Sequence, residues 1–439
     1  MKILAKAEKI IFYFLVFCLP LQVRHIFHFF GQSFNEWQTI CFYATDILIL
    51  ALLGLWLARD WPEKKNIIIR SVFSRSGMVL TVFLVISGLS VFLAQNKFLG
   101  LYSWVRLAEF ALLFFYLKIN FAKLFSLERF WQIFALSAFC QSIIAIAQFF
   151  NQGNLGFSFF HESPLAPGLA GVAKIIVNGQ PIVRAYGLVP HPNLLAAILI
   201  TAIFGLAWLT AAENSRFVIF KKTAYVLFLA VSAAALFFTF SRSVIVVGLL
   251  FLAFWLFLVW WYRTRAEILT TAITLFAVFC LLLMFFWPYA AARYGVANLA
   301  GEQALSLRVF YNQAAVVFMG KHLFVGTGQG NFVTALAQNH ADLASWAWQP
   351  VHNIYLLIAA ETGIIGLLAF LAFLFLTIKA AWRRKAEFNN SHLFFVVGCL
   401  LFFGLFDHFL WDLQQGQLLF WMLLGILSAH GSLLRSNCI

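Results

Sequence analysis

Four side chains stand where a very apolar chain breaks into short polar stretches, and their types suit anion binding and proton transfer. Arg184 opens "RAYGLVPHPN", Arg242 lies in "TFSRS", Arg308 in "LSLRVFYNQA" and His352 in "PVHNIYLL". A guanidinium presents a planar fork that matches phosphate oxygens two at a time, so arginines held at fixed turns make an anion clamp. An imidazole titrates at about pH 6.5 and can take a hydroxyl proton at neutral pH. Each also has a plainer reading. Arg242 can snorkel to lipid phosphates, and His352 can simply close a helix end.

Their neighbours add candidates of the same kind. His191 and Asn193 precede an apolar run, where Pro192 suits a helix start and Asn193 suits its cap. In "GTGQGNF", Gly328 is the middle of three glycines in a loop whose backbone can approach a ligand closely. Asn353 follows the histidine. At helical pitch Gly363 and Gly366 return to the His352 face, where small residues let another helix or an isoprenoid chain approach. Glu361 falls on the opposite face, about 13 Å deeper at about 1.5 Å per residue, and is expected to pair inside the bundle without orienting His352. The glycine-bearing loop of Arg184 looks less rigid than the "TFSRS" turn, so Arg184 is expected to tolerate substitution better than Arg242 and Arg308.

No metal motif is present. There is no HExxH, and Asp46, Asp60, Asp342, Asp407 and Asp412 never form an Asp-x-Asp pair of the kind that holds a divalent ion on a diphosphate. Neutralising a bound diphosphate would therefore fall to the arginines, with no metal and no cofactor. The 6 cysteines are scattered through apolar stretches without a Cys-x-x-Cys and read as small core residues.

The elements that must position these groups are membrane helices. The 439 residues are 63% hydrophobic and only 10% charged, too apolar for a soluble domain of this size. Twelve spans are expected, near 9–24, 39–58, 76–94, 99–118, 131–150, 190–211, 223–240, 243–262, 268–287, 351–378, 393–411 and 415–431. The first is broken where Pro20 meets the polar "QVRHIFHFF". With an inside N-terminus, 21 of the 30 lysines and arginines fall on inner segments, which puts both termini in the cytoplasm. The +14 charge is thus mostly topology and no sign of nucleic acid. The first apolar stretch lacks a small-residue cleavage site, so no cleaved signal peptide is expected. The expected organisation is one integral membrane domain, 1–439, with long outer loops at 151–189 and 288–350. The second loop should contain an amphipathic helix, because Leu307, Phe310, Tyr311, Ala314, Ala315, Val317 and Phe318 follow helical spacing. Functional-looking groups, among them Arg293, Asp407 and Asp412, gather on this outer side. Transporters concentrate such groups at the bilayer midplane, so the distribution favours chemistry at the outer surface.

The pattern His352-Asn353, then Gly363 and Gly366, closely resembles the signature that follows the large outer loop in the bacterial O-antigen ligase family. "YGLVPHPN", "TFSRS" and "RVFYNQA…VGTGQGNF" extend the resemblance over about residues 184–370. The superfamily also contains O-antigen polymerases and protein O-oligosaccharyltransferases. The resemblance implies an all-α, GT-C-like polytopic glycosyltransferase of the bacterial inner membrane with its site facing the periplasm. The implied donor is a glycan on undecaprenyl diphosphate and the implied acceptor a lipid A–core sugar hydroxyl, both amid membrane lipids. Arg184, Arg242 and Arg308 would bind the diphosphate, and His352 would act as base with inversion at the anomeric carbon. His191, Asn193, Gly328, Asn353, Glu361, Gly363 and Gly366 would support the site or the acceptor. A polymerase of the superfamily is the nearest alternative, and a lipid-linked glycan flippase the alternative from another class.

Overall fold

A bilayer offers no partner for backbone N–H and C=O groups, so long apolar runs close their hydrogen bonds internally as helices. The computed structural model of the chain describes residues 2–31, 34–59, 61–212, 219–262, 265–295, 299–382 and 391–429. Its helices are α1 (Lys2–Cys18), α2 (Ala44–Ala58), α3 (Trp61–Val72), α4 (Arg75–Ser90), α5 (Lys97–Leu124), α6 (Leu127–Asn151), α7 (Pro192–Ala212) and α8 (Ile219–Phe238). They continue as α9 (Arg242–Tyr262), α10 (Arg265–Tyr294), α11 (Leu299–Lys321), α12 (Phe332–Asn339), α13 (Ile354–Trp382), α14 (Ser391–Phe403), α15 (Phe409–Asp412) and α16 (Gln414–Ala429). Two antiparallel hairpins complete it: β1 (Arg24–Phe29) with β2 (Thr39–Tyr43), and β3 (Lys174–Val177) with β4 (Gln180–Val183).

The chain is an all-α polytopic membrane protein. A helix lies on each of the twelve expected stretches. Among the described residues 7 are long and apolar enough to cross a membrane: α4 with the turn after it, α5, α6, α7, α9, α10 and α13. Three expected spans are shortened for local reasons: the first of them ends at Cys18, just before Pro20. Thr39–Tyr43, rich in β-branched and aromatic residues, pairs as a strand with Arg24–Phe29, so α2 starts only at Ala44. The stretch 393–411 is interrupted at Gly404, and Asp407 and His408 occupy the break.

Helices α7 and α16, apolar on every side, are surrounded by neighbours along their length. Helix α16 packs on α5, α4 on α13, and α7 on α6 and α8. By contrast α10 leaves Ile273, Phe276, Met284 and Phe285 exposed, as a lipid-facing helix does. A helix, α11, does cover the expected stretch and buries Tyr311, Ala314, Ala315 and Phe318, but Leu305, Val309, Val316 and Val317 are exposed, so apolar residues occupy more than one face and the expected amphipathic division is not seen.

Helix α13 breaks at Gly363, where φ is 73° and ψ is 176°, a region open essentially to glycine alone. The segment 323–328 enters this break and takes up its backbone groups. Ile364 N donates to Leu323 O at 2.8 Å, Thr327 N to Ala360 O at 2.8 Å and Gly328 N to Glu361 O at 3.0 Å. A Cβ on Gly363 would lie 2.2 Å from the Phe324 carbonyl. Gly363 therefore admits another stretch of this chain's own backbone, where a regular helix would have offered a smooth face. Gly328, at φ 97°, is pressed in the same way against Ala94.

Candidate functional site

Two glutamines of α6 hold the "YGLVP" loop. Gln148 Oε1 accepts from Gly187 N at 2.7 Å and Gln141 Oε1 accepts from Leu188 N at 2.7 Å. Gly187 has φ 64°, and a Cβ there would meet Gln141 Oε1 at 2.8 Å. The loop is therefore fixed, and so is Arg184. Its side chain is buried, with Nε donating to Thr239 O at 2.6 Å and Nη2 to Asn193 Oδ1 at 2.7 Å. The expectation that Arg184 is the more loosely held arginine is thus at odds with its surroundings. Burial, with the charges of Arg308 and Arg242, draws its pKa down to about 10.

The turn between α8 and α9 orients more than one arginine. Phe240 adopts φ 47°, and its carbonyl accepts from Arg293 Nε at 2.9 Å. Arg242 is exposed at the first residue of α9, where unpaired backbone N–H groups also favour an anion. Arg308 lies on α11 three residues before Tyr311, hence on the same face. Tyr311 packs against His352 with ring centroids 5.9 Å apart and donates its hydroxyl to Ala347 O at 2.6 Å. Arg308 acts electrostatically on Arg184, Arg293 and His352, so the guanidinium groups form one cationic neighbourhood.

Asn193 is not the expected helix cap: α7 starts at Pro192, which puts Asn193 in its first turn. Its Oδ1 accepts from Arg184 and from Ser241 Oγ at 2.9 Å, while its Nδ2 donates to Asp407 Oδ2 at 2.6 Å. The other Asp407 oxygen lies 3.7 Å from His352 Nδ1, an ion-pair separation longer than a hydrogen bond. His191 stays local, its Nδ1 accepting from Asn193 N at 3.2 Å. Burial pushes His191 down to about 3, so it is neutral at physiological pH.

Asn353 Oδ1 caps α13 by accepting from Tyr355 N at 2.9 Å and Leu356 N at 3.1 Å, which holds His352 just outside the helix. Burial pulls the His352 imidazole below its ordinary value. Asp407 is opposed by burial, yet the histidines around it hold its carboxyl well below the usual range. His408 stacks obliquely on His352 at 4.9 Å and meets Asp412 Oδ1 through Nδ1 at 2.9 Å. Burial disfavours charge on His408, but Asp412 and Asp407 raise its pKa overall. The result is a neutral His352 beside an ionised Asp407, with His352 Nδ1 within ion-pair reach of the carboxylate and not hydrogen-bonded to it.

Glu361 serves the bundle. It accepts from Trp411 Nε1 at 3.2 Å and from Phe332 N at 3.4 Å, tying α15 and the start of α12 to α13. Gly366 meets the Thr362 side chain. Among the described residues one group of metal-ligating types converges: His352, Asp407 and His408 offer one atom each, all within 4.8 Å of one another. Arg184, Asn193, Arg308 and His352 are thus brought together, with Arg242 beside them, whereas Gly328 and Gly363 shape the scaffold. Asp407 and Arg293 stood out in the sequence only as polar residues on the expected outer side, and His408 was missed. The signal was "DHFLWD", three ionisable groups in six residues of an apolar stretch.

Residues 224–371 match the family model for O-antigen ligase. Over those residues the chain is similar to the O-antigen ligase family. The matched residues include Arg242, Arg293, Arg308 and His352, while Arg184, Asn193 and Asp407 lie outside them. No curated protein matches the chain. The family implies a glycosyltransferase-type enzyme of the ligase and polymerase superfamily, acting on lipid-linked glycan and lipid acceptor in a membrane.

Proposed function

We propose that the protein is an O-antigen ligase, moving a glycan from undecaprenyl diphosphate to a lipid A–core sugar hydroxyl at the periplasmic face of the inner membrane. The observation that carries this reading is the continuous link from Arg184 through Asn193 to Asp407 and its approach to His352. It joins an anion clamp to a base, the two parts that the transfer requires.

In this reading the acceptor hydroxyl gives its proton to His352 Nε2 while its oxygen attacks the anomeric carbon. The bond from that carbon to the diphosphate oxygen breaks, and the leaving diphosphate takes the bonding electrons. Arg184, Arg242 and Arg308 stabilise the charge that develops there. Asp407 favours the Nδ1–H tautomer of His352 and steadies the imidazolium that forms, as carboxylates do in hydrolase triads. Attack opposite the diphosphate gives inversion. No metal or cofactor takes part.

The test is transfer by the purified protein in liposomes, supplied with polyprenyl-diphosphate glycan and rough lipopolysaccharide. A ligase yields glycan on the core sugar. Elongated glycan still on the carrier lipid would instead make it a polymerase, and movement of the donor between leaflets without bond formation would make it a flippase.

A further inference from the structure

The side chains grouped around His352 also make a set that can chelate a metal ion. His352 Nδ1 lies 3.7 Å from Asp407 Oδ1, and His408 Nε2 lies 3.9 Å from the same oxygen. One atom from each of the three residues stays within 4.8 Å of the others. Around a tetrahedral zinc ion with bonds of about 2.0–2.1 Å, neighbouring donor atoms sit about 3.4 Å apart. The two measured separations therefore need to close by about 0.3 Å and about 0.5 Å. Turning the rings closes the remaining distance, between the imidazoles.

Three further observations suit an ion at this place. His352 Nδ1 is buried without a hydrogen-bond partner among the described residues, although a carboxylate oxygen faces it. His408 engages Asp412 Oδ1 through Nδ1 at 2.9 Å, which leaves Nε2 facing Asp407, where a proton or a metal ion can bridge the two. A carboxylate on the far nitrogen is how histidine ligands are oriented and made more basic in metal sites. Asp407 retains capacity as well: Oδ2 accepts from Asn193 Nδ2, and Oδ1 accepts the backbone N–H of His408 at 2.8 Å. Each carboxylate oxygen has room for a second partner. Asp407 and Asp412 bring two negative charges to a divalent ion, against the repulsion of Arg308. Two imidazole nitrogens and one carboxylate oxygen suit zinc and its transition-metal neighbours, whereas magnesium and calcium favour oxygen.

We infer that His352, Asp407 and His408 form an inhibitory site for a transition-metal ion, zinc foremost, with Asp412 holding His408 in place. That the ion inhibits rests on the transfer proposed above; that it binds does not. Base action needs the His352 lone pair on Nε2. A metal ion on Nδ1 displaces the proton there, and the neutral ring then carries its one proton on Nε2. One proton leaves Nδ1 for water and one joins Nε2 from water, so the charge of the ring is unchanged. No lone pair is left for the acceptor hydroxyl. The ion also takes the Asp407 charge that would otherwise steady the imidazolium.

The binding experiment adds cobalt chloride to the purified full-length protein in detergent, without donor, because a diphosphate itself chelates metals. Wild-type protein should show the visible absorption of four-coordinate cobalt, lost on adding zinc chloride. His408→Gln should abolish it, and Asp412→Asn should weaken binding by about 10–100-fold. Replacing the exposed His25 and His28 of β1 by alanine should leave it unaltered. X-ray absorption at the zinc edge of the wild type needs no variant, and should show two imidazole ligands and no sulfur. In liposomes zinc chloride should inhibit transfer and EDTA restore it, while magnesium and calcium leave transfer unchanged. The zinc inhibition constant, referred to each variant's own activity in EDTA, should rise at least about tenfold in His408→Gln and Asp412→Asn. An unaltered cobalt spectrum in folded His408→Gln, sulfur at the zinc edge, or a signal lost with His25 and His28 would overturn the site. Metal bound through His408 with transfer undiminished would overturn the inhibition. A protein that binds cobalt through His408 yet transfers no glycan in EDTA would keep the site and remove the proposed reaction.

Discussion

Asn193 donates its side-chain amide to Asp407 at 2.6 Å across 214 residues of sequence. The same Asn193 accepts from Arg184, and the same Asp407 approaches His352, so one amide connects the cation cluster to the imidazole.

The first consequence concerns pH. His352 must be neutral to act as a base, and burial holds its pKa below the ordinary value of about 6.5. The rate should therefore be flat at neutral pH and fall only as pH drops below that value. Asp407 favours the imidazolium, so Asp407→Asn should shift the acid limb further down while the plateau falls by roughly 10²–10⁴-fold. A lowered plateau with an unmoved limb would mean that Asp407 acts only on folding.

Arginine forks should not be replaceable by point charges. Arg242→Lys and Arg308→Lys are expected to impair transfer because lysine cannot grip two phosphate oxygens together. Arg184→Lys should be at least as damaging, since its guanidinium is buried between Thr239 and Asn193. Steady-state kinetics decide this, and normal turnover in a lysine variant would reduce that residue to a general charge.

Chelation tests the absence of a metal. Activity should persist in EDTA, because the arginines take the diphosphate and Asp407 is engaged by Asn193 and His352. Loss on chelation with recovery on one divalent ion would turn His352, Asp407 and His408 into its ligands.

Gly363 should be structurally irreplaceable. Gly363→Ala forces a Cβ to 2.2 Å from the Phe324 carbonyl in a backbone conformation that L residues avoid. The conformational strain alone costs about 1–3 kcal/mol. Gly366→Ala keeps a helical backbone and meets the Thr362 and Ile86 side chains rather than backbone, so it should be the milder of the two. Thermal unfolding in detergent compares the two, and equal melting temperatures would refute the packing argument.

What was legible in the sequence follows from where polarity is conspicuous. Arg242 and His352 interrupt long apolar runs, so they were visible, as was the existence of helix α11. Asp407 was visible only as a polar residue on the outer side and His408 was missed, because hydropathy averages over the break after α14. Helical pitch placed Gly363 on the His352 face, but pitch fails where the helix itself opens. The rigidity of Arg184 depends on Gln141 and Gln148 of α6, contacts between distant segments that no local pattern announces.

The central claim is that His352 accepts the hydroxyl proton. The direct measurement separates donor binding from single-turnover transfer in His352→Ala and His352→Gln. We expect both variants to fold and bind polyprenyl-diphosphate glycan as the wild type does, while transfer falls by roughly 10²–10⁴-fold. Near-normal transfer by a folded His352→Gln protein would contradict the assignment, leaving His352 as a packing residue at the end of α13.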